Sequence, residues 1–114
     1  MLNYRQLDPD KVEFIQIAST DDLPVGERLY LEIDSQPIVI FNIAGELYAI
    51  ADLCSHDNGP LGDGELDDHE IICPRHGARF DVATGKVTAL PAVEDIPAYP
   101  VRVVDGDIEI GLPL

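Results

Sequence analysis

The residues best suited to chemistry in this chain are both of its cysteines and two of its three histidines. They lie in two short segments, Cys54-x-His56 and Cys73-x-x-His76, with sixteen residues between them. Each segment offers one thiolate and one imidazole, at a spacing that lets both side chains reach the same metal centre from one turn. The sequence therefore predicts a metal site formed by Cys54, His56, Cys73 and His76.

Two kinds of metal centre suit a set of two cysteines and two histidines. A structural zinc ion is held tetrahedrally by two sulfurs and two nitrogens. In a [2Fe–2S] cluster with the same ligands, one iron takes both thiolates and the other takes both imidazoles. Zinc fingers usually pair Cys with Cys and His with His within each half of the motif, whereas each half of this motif mixes the two. Mixing favours the cluster, because each loop must then reach both irons.

The length and composition fit one domain of a cytoplasmic protein. The chain has 114 residues, 46% of them hydrophobic, which is enough for a core. No apolar run approaches the length of about 18 residues that a membrane span requires, and the first residues lack the apolar stretch of a signal peptide. Two cysteines beside two histidines indicate metal ligation rather than a disulfide.

The charge of the chain is strongly negative, −15 from 22 acidic and 7 basic residues. Such a protein repels nucleic acid and anionic membranes, which excludes both as partners, and is attracted to basic patches on other proteins. Between Asp52 and Glu70 there are seven acids and no Lys or Arg. This stretch is either a docking surface that steers a basic partner or a solvated loop of a chain that is acidic throughout.

Short apolar segments separated by turn residues predict an all-β fold. The Asp105-Gly106 pair indicates a hairpin because both positions of such a turn require positive φ, and Ala44-Gly45 and Thr84-Gly85 are expected to act in the same way. One helical turn is predicted near Asp21–Leu23. The predicted strands are Glu13–Ala18, Arg28–Ile33, Pro37–Ile43, Leu47–Ala51, Glu70–Cys73, Ala78–Asp81, Ala98–Val104 and Ile108–Ile110.

A single domain, residues 1–114, is expected, since the sequence has no internal repeat or linker. Residues 52–81 differ in kind from the rest, because they contain all the cysteines and histidines and the glycine-rich stretch Asn58–Gly64. Glycine lets the backbone bring amide groups close to a buried centre. We therefore expect residues 52–81 to form a small site-bearing subdomain inserted in a scaffold of residues 1–51 and 82–114.

The two cysteine segments and their surroundings resemble the signature of Rieske proteins. The resemblance starts at Cys54-x-His56 and Cys73-x-x-His76-Gly77 and continues through Arg79-Phe80-Asp81 and Thr84-Gly85-Lys86. It implies the Rieske fold, in which three antiparallel sheets are stacked and two ligand loops lie at the tip of a small cluster-binding subdomain inserted in a β base domain. It also implies one [2Fe–2S] cluster per chain.

The same resemblance implies a role for each ligand. By the pattern of the family, Cys54 and Cys73 bind the inner iron. His56 and His76 bind the outer iron through Nδ1, which leaves Nε2–H facing solvent.

The resemblance further implies a low reduction potential. Rieske proteins of respiratory complexes add a second cysteine in each loop, forming a disulfide, and place a Ser and a Tyr hydroxyl against the cluster sulfurs. This chain has no spare cysteine and has Ala78 and Phe80 at the two hydroxyl positions. Because hydrogen bonds to sulfur stabilise the charge gained on reduction, we expect a potential at the low end of the Rieske range of about −150 to +300 mV.

The function implied is that of a soluble one-electron carrier rather than an enzyme. Ferredoxins of this kind pass electrons from a flavin-containing, NAD(P)H-dependent reductase to a terminal Rieske non-haem iron oxygenase. An oxygenase also needs an iron site of two histidines and a carboxylate, and only His69 remains once the cluster takes His56 and His76. The alternatives are the non-catalytic Rieske small subunit of an assimilatory nitrite reductase or similar redox complex, and a ferredoxin serving iron–sulfur assembly or another oxygenase.

Several further residues have both a functional and a structural interpretation. Arg75 and Arg79 either offset the charge gained on reduction or pair with nearby acids, and we favour pairing. Leu90-Pro91-Ala92 falls where Rieske proteins have a loop that covers the cluster, but its proline could equally serve an ordinary turn. His69 is expected on a surface turn without a ligand role.

Overall fold

Eleven strands make up the fold in the computed structural model, which describes residues 3–114 apart from the side chains of Gln6 and Pro9. The helical segments within that range are single 3₁₀ turns, and none of them is long and apolar enough to cross a membrane. The predicted turn near Asp21–Leu23 is one of these, at Thr20–Asp22. The strands are β1 (Val12–Ser19), β2 (Arg28–Ile33), β3 (Gln36–Ile43), β4 (Glu46–Ala51), β5 (Leu66–Asp67), β6 (Glu70–Ile72), β7 (Arg79–Asp81), β8 (Val87–Ala89), β9 (Ala98–Tyr99), β10 (Val101–Val104) and β11 (Asp107–Pro113).

The strands form three antiparallel sheets. The first sheet has the order β1-β11-β10, the second β2-β3-β4-β9, and the third β5-β6-β7-β8. Every pairing between neighbouring strands is antiparallel. The prediction of an all-β fold with three antiparallel sheets is confirmed.

The second sheet is buried on both faces, and the sequence of β3 explains why. Successive side chains of a strand point to opposite faces of the sheet. Ile38 and Ile40 lie in an apolar cluster with residues of the first sheet, whereas Val39 and Phe41 lie in a second cluster with residues of the third sheet. All four side chains are at most 1% exposed. The second sheet is therefore the layer between the first sheet and the third sheet.

Two hairpin turns have the backbone that the sequence predicts. Asp105 and Gly106 have φ of 52° and 81°, and Ala44 and Gly45 have φ of 56° and 94°. These turns connect β10 to β11 and β3 to β4, so they set the register of the strands that form both apolar clusters.

The chain departs from the predicted strands in two places. The predicted strand Ala98–Val104 is divided at Pro100 into β9, which pairs with β4, and β10, which pairs with β11. Proline has no N–H for the ladder, so it suits the point where the chain leaves one sheet for another. The strands β5 and β8 were not predicted, because two- and three-residue strands are too short to show a periodic pattern.

The residues of the predicted metal site lie in two connections that lead to or join strands of the third sheet, from β4 to β5 and from β6 to β7. The third sheet extends from β5 to β8, so that β8 lies beyond the subdomain boundary predicted at residue 81. The division into a subdomain of residues 52–81 and a scaffold of residues 1–51 and 82–114 stays a prediction.

Candidate metal centre

The first loop, residues 52–65, follows β4, and the Asp52 side chain at its start binds the backbone further along the loop. The Asp52 Oδ1 atom accepts hydrogen bonds from the N–H groups of Leu61 (2.9 Å) and Gly62 (2.6 Å). From β2, Arg28 donates to the carbonyl oxygens of Gly62 and Gly64, and the Tyr30 hydroxyl donates to the carboxylate of Asp63 at 2.6 Å. The far end of the loop is thus fixed to the second sheet.

Within the first loop, residues 54–59 form a tight turn that we call the first cysteine turn. The Cys54 N–H donates to the carbonyl oxygen of Gly59 (2.8 Å), and the Cys54 carbonyl oxygen accepts from the N–H of Asn58 (2.7 Å). Asn58 has φ of 61°, a left-handed conformation that asparagine tolerates better than most residues.

A second cysteine turn, residues 73–78, connects β6 to β7 and repeats that arrangement. The Cys73 N–H donates to the carbonyl oxygen of Ala78 (2.7 Å), and the Cys73 carbonyl oxygen accepts from the N–H of Gly77 (3.0 Å). Gly77 has φ of 78°. In both turns the cysteine therefore bonds to the fourth and fifth residues that follow it, and the fourth is left-handed. The histidine is the second residue after Cys54 but the third after Cys73.

The two thiols lie together at the buried end of the site. Cys54 is fully buried and Cys73 is 2% exposed, both in the apolar cluster between the second and third sheets, and each thiol affects the pKa of the other. The N–H groups of His56 and Asp57 point at the Cys54 sulfur, and those of Arg75 and His76 point at the Cys73 sulfur. Amide donors of this kind stabilise a thiolate.

The two thiols differ in acidity. Burial raises the pKa of the Cys54 thiol above its ordinary value, in opposition to the amide donors. Burial acts in the same sense on Cys73, but the N–H groups of Arg75 and His76, together with the Cys54 thiol, outweigh it and lower the pKa of Cys73. In both cases the amide donors favour the thiolate, the form that binds a metal.

The two imidazoles lie together at the solvent end. The rings of His56 and His76 meet edge to face, with centroids 5.1 Å apart and planes inclined at 85°. Both side chains are exposed, that of His76 by 52%. The Nε2 atom of His76 is 3.8 Å from the Asp57 carboxylate.

The structure thus brings all four predicted residues into one place, as a pair of thiols and a pair of imidazoles. Within residues 3–114, no three His, Cys, Asp or Glu side chains converge on a single point as ligands of one ion. Two thiolates on one side and two imidazoles on the other are the ligand set of a [2Fe–2S] cluster in which each iron takes one pair. The donor set therefore fits such a cluster.

Arg75 and Arg79 both pair with acids, the interpretation that the sequence favours. Arg75 Nε and Nη2 donate to the two carboxylate oxygens of Asp57, at 2.6 and 3.0 Å. The hydrogen bonds from Arg75 and from the Gly59 N–H hold the pKa of Asp57 well below its usual range. Arg79 Nη1 donates to Asp67 (2.8 Å) and to Glu70 (3.2 Å).

The acidic stretch from Asp52 to Glu70 is largely occupied with local contacts. Six of its seven carboxylates form hydrogen bonds with backbone amides or with tyrosine, arginine or histidine side chains. These six are Asp52, Asp57, Asp63, Asp67, Asp68 and Glu70. These contacts give the acids a structural explanation. Their use as a docking surface stays a prediction.

The segment Leu90–Glu94 lies against the first cysteine turn. The Ser55 hydroxyl donates to the Glu94 carbonyl oxygen at 2.5 Å, and Ala92 is buried in the same apolar cluster as the two cysteines. Leu90 and Val93 are 74% and 76% exposed. Ala92 of the predicted covering loop, Leu90-Pro91-Ala92, therefore packs into the cluster that contains the thiols, while Leu90 of the same loop and the neighbouring Val93 remain in solvent. Whether the loop covers a cluster stays a prediction.

His69 lies in the turn between β5 and β6, as predicted. Its Nδ1 atom is 3.0 Å from the Asp68 carboxylate, and its ring and that of Tyr48 meet edge to face, with centroids 5.4 Å apart.

The residues that sequence reasoning missed are Arg28 and Tyr30, which reach the first loop from more than 30 positions earlier in the chain. No local pattern in β2 signals a contact over that separation.

Replacement of Tyr30 by phenylalanine is expected to remove a titration step near pH 12. Burial of the hydroxyl, followed by its hydrogen bond to the Asp63 carboxylate, raises the pKa of Tyr30 to about 12, from about 10 in an unfolded chain. Because the neutral phenol is the stabilised form, its contribution is complete below pH 10 and is lost as the pH rises through 12. The measurement is the difference in tyrosinate absorbance between the two proteins. A difference step centred near pH 10 would contradict this assignment.

Comparison with known proteins identifies a protein family that the chain matches and proteins of similar sequence. The profile of the Rieske [2Fe–2S] domain matches residues 13–100. The 3-phenylpropionate/cinnamic acid dioxygenase ferredoxin subunit of Escherichia coli (strain K12) is 48% identical over 94 residues, which cover 81% of this chain and 87% of that subunit.

Solved structures show the same fold. The ferredoxin of carbazole 1,9a-dioxygenase from Nocardioides aromaticivorans IC177 superposes with a TM-score of 0.79 at 35% identity, covering 85% of this chain and 95% of that one. A chain from a complex of reduced oxygenase and oxidized ferredoxin in carbazole 1,9a-dioxygenase superposes with a TM-score of 0.77 at 26% identity, covering 85% of this chain and 91% of that one.

Proposed function

Because the chain belongs to the Rieske [2Fe–2S] domain family, we propose that Cys54, His56, Cys73 and His76 are the ligands of its one [2Fe–2S] cluster. The observation that carries the proposal is the arrangement of the four side chains, with two thiols buried in one apolar cluster and two exposed imidazoles whose ring centroids are 5.1 Å apart. In this assignment Cys54 and Cys73 hold the inner iron, and His56 and His76 hold the outer iron.

When bound, such a cluster supplies a one-electron couple. The chain's own residues determine how strongly the reduced state is stabilised and how close a partner can come to the cluster. The apolar cluster around Cys54 and Cys73 excludes water from the inner side, and the four amide N–H groups that point at the two sulfurs offset negative charge there. The exposed rings of His56 and His76 form the path to the surface.

The protein is an electron carrier rather than an enzyme, and we infer that it works in the cytoplasm between two proteins. The proposed donor is a flavin-dependent NAD(P)H reductase, and the proposed acceptor is a terminal Rieske non-haem iron oxygenase. The similarity to dioxygenase ferredoxin subunits supports the acceptor, and the sequence resemblance supports the donor.

The experiment that tests the ligand assignment and the cofactor together is an EPR spectrum of the dithionite-reduced protein, with its visible absorption spectrum. We expect a rhombic signal whose average g value lies below that of four-cysteine clusters. A colourless protein that contains zinc and takes up no iron or sulfide in anaerobic reconstitution would contradict the proposal.

The partner assignment is tested by mixing the reduced protein with a purified dioxygenase. Expression of this chain in an E. coli strain that lacks its 3-phenylpropionate/cinnamic acid dioxygenase ferredoxin subunit supplies a cellular version of the test. We expect oxygenase-dependent reoxidation and restored dioxygenation. A reduced, intact protein that no Rieske oxygenase reoxidises would count against an oxygenase as acceptor.

Replacement of Ala78 by serine is expected to raise the reduction potential. Ala78 is fully buried in the same apolar cluster as the two cysteines and offers no hydroxyl to the sulfurs. A hydroxyl that favours the reduced state tenfold raises the potential by about 59 mV for a one-electron couple. Ala49→Ser is the matched control, because Ala49 is equally buried but belongs to the cluster on the far face of the second sheet. Protein-film voltammetry measures both variants, and equal potentials for the two would refute the expectation.

A further inference from the structure

We propose that Arg75 is a positioning residue whose ion pair with Asp57 clamps the two cysteine turns together and keeps the four ligands at cluster spacing. The inference rests on the ligand assignment proposed above. It concerns how the two turns are joined, since each turn is closed by hydrogen bonds within itself.

The guanidinium group of Arg75 spans the gap between the turns with three hydrogen bonds. Two of them reach the carboxylate oxygens of Asp57, in the side-by-side geometry that makes arginine–carboxylate pairs strong. The third runs from Nη1 to the Pro60 carbonyl oxygen at 2.6 Å. One side chain of the second turn therefore binds both a side chain and the backbone at the first turn.

The first turn is shaped to receive this group. The Asp57 Oδ1 atom also accepts a hydrogen bond from the Gly59 N–H (3.0 Å), so the first turn itself orients the carboxylate, independently of Arg75. A Cβ atom on Gly59 would lie 2.7 Å from the Arg75 Cζ atom and 2.8 Å from Nη2. The guanidinium thus lies directly on the backbone of Gly59, at a distance that any side chain there would prevent.

The other contacts between the turns are weaker or less directional. The rings of His56 and His76 meet edge to face, and His76 Nε2 is 3.8 Å from the Asp57 carboxylate. Among the residues that the structure describes, the side-chain hydrogen bonds between residues 54–60 and residues 73–77 are those of Arg75. The chain has only two cysteines, both assigned as ligands, so no disulfide is available to join the turns. The clamp is therefore the hydrogen-bonded link between the two halves of the proposed ligand set.

The clamp is local. The side chains of Arg75 and Asp57 are 32% and 26% exposed, so solvent weakens the charge attraction between them. Because bidentate geometry fixes the relative position of the two groups, the first effect of removing Arg75 is expected on the turns and on the rate of cluster loss.

The experiment compares the full-length, cluster-containing protein with Arg75→Met and with a matched control, Arg79→Met. Arg79 lies four residues further along and also makes two hydrogen bonds to carboxylates, but it pairs with Asp67 and Glu70 and does not bridge the turns. The first readout is the rate at which visible absorbance is lost in excess chelator. We expect Arg75→Met to accelerate the loss about tenfold or more, and Arg79→Met to leave it near the wild-type rate.

Two further readouts separate positioning from charge. Arg75→Lys keeps the charge but replaces the planar fork with a single ammonium group, so we expect it to lose the cluster nearly as fast as Arg75→Met. The EPR signal of Arg75→Met should be broadened by a spread of ligand geometries, whereas that of Arg79→Met should match wild type. Equal rates of cluster loss in Arg75→Met and Arg79→Met, or full rescue by Arg75→Lys, would overturn the clamp.

Hydrogen exchange monitored by mass spectrometry tests the clamp even if the ligand assignment fails. Peptides covering residues 54–59 and 73–78 of the protein as purified should exchange about tenfold faster in Arg75→Met than in Arg79→Met. A wild-type protein without the cluster spectrum would refute the proposed function but leave this comparison intact. Unchanged exchange in both turns would refute the clamp while the spectrum confirmed the cluster.

Discussion

Replacement of His56 by alanine is expected to abolish the [2Fe–2S] spectrum. His56 supplies one of the four proposed ligands, and no spare histidine lies in either cysteine turn. Without it the outer iron has one protein ligand left, which is too few to hold the cluster. We expect iron content and visible absorbance to fall to background, and the rhombic EPR signal to disappear.

The third histidine provides the matched control. His69→Ala removes the same side chain from the turn between β5 and β6, where His69 contacts Asp68 and Tyr48. This variant should keep its cluster, its EPR signal and its colour. Because metal binding contributes to folding, His56→Ala should also melt at a lower temperature than His69→Ala. A coloured His56→Ala protein with full iron content would refute the ligand assignment.

Replacement of Gly64 by alanine is expected to lower the free energy of unfolding by about 3 kcal/mol, the upper end of the usual effect of overpacking, because the atoms in the way belong to the backbone. A Cβ atom at this position would lie 1.8 Å from the Ile72 carbonyl oxygen and 2.9 Å from its carbonyl carbon. These are backbone atoms of β6, directly before Cys73, so relief of the clash must displace the start of the second cysteine turn. Urea denaturation and iron content measure the two effects.

Gly106→Ala is the control for the general effect of replacing a glycine. Gly106 has φ of 81°, so alanine there is strained, but its Cβ atom would meet nothing within 4 Å. That strain alone is expected to lower the free energy of unfolding by about 1–2 kcal/mol and to leave the cluster intact. Equal stabilities for the two variants, both with full iron content, would show that β6 can move aside without harm to the site.

The proximity of the four proposed ligands could be predicted from the sequence because its signal is local. Each half of the motif places a cysteine and a histidine within one turn, so the chemistry is visible without knowledge of the fold. The hairpins at Ala44-Gly45 and Asp105-Gly106 were predictable for the same reason, since a two-residue turn determines its own backbone.

The features that sequence reasoning missed depend on contacts between distant residues. Arg28 and Tyr30 look like ordinary strand residues, and only the approach of β2 to the first loop gives them a role. Pairing of Arg75 with an acid was predictable from composition, but the choice of Asp57, across the gap between the turns, was not. The crossing of the chain between sheets at Pro100 likewise became visible only when the partners of β9 and β10 were known.

The contrast in burial between the thiol pair and the imidazole pair limits how the carrier can meet its partners. Cys54 and Cys73 lie inside the apolar cluster, whereas His56 and His76 reach solvent. Electron transfer weakens steeply with distance, so in the proposed function the donor and the acceptor would both approach this small face, and whichever binds first would occlude it. The two encounters are then expected to be mutually exclusive and to alternate in time. A substitution that tightens binding to one partner should slow the whole cycle through a lower dissociation rate.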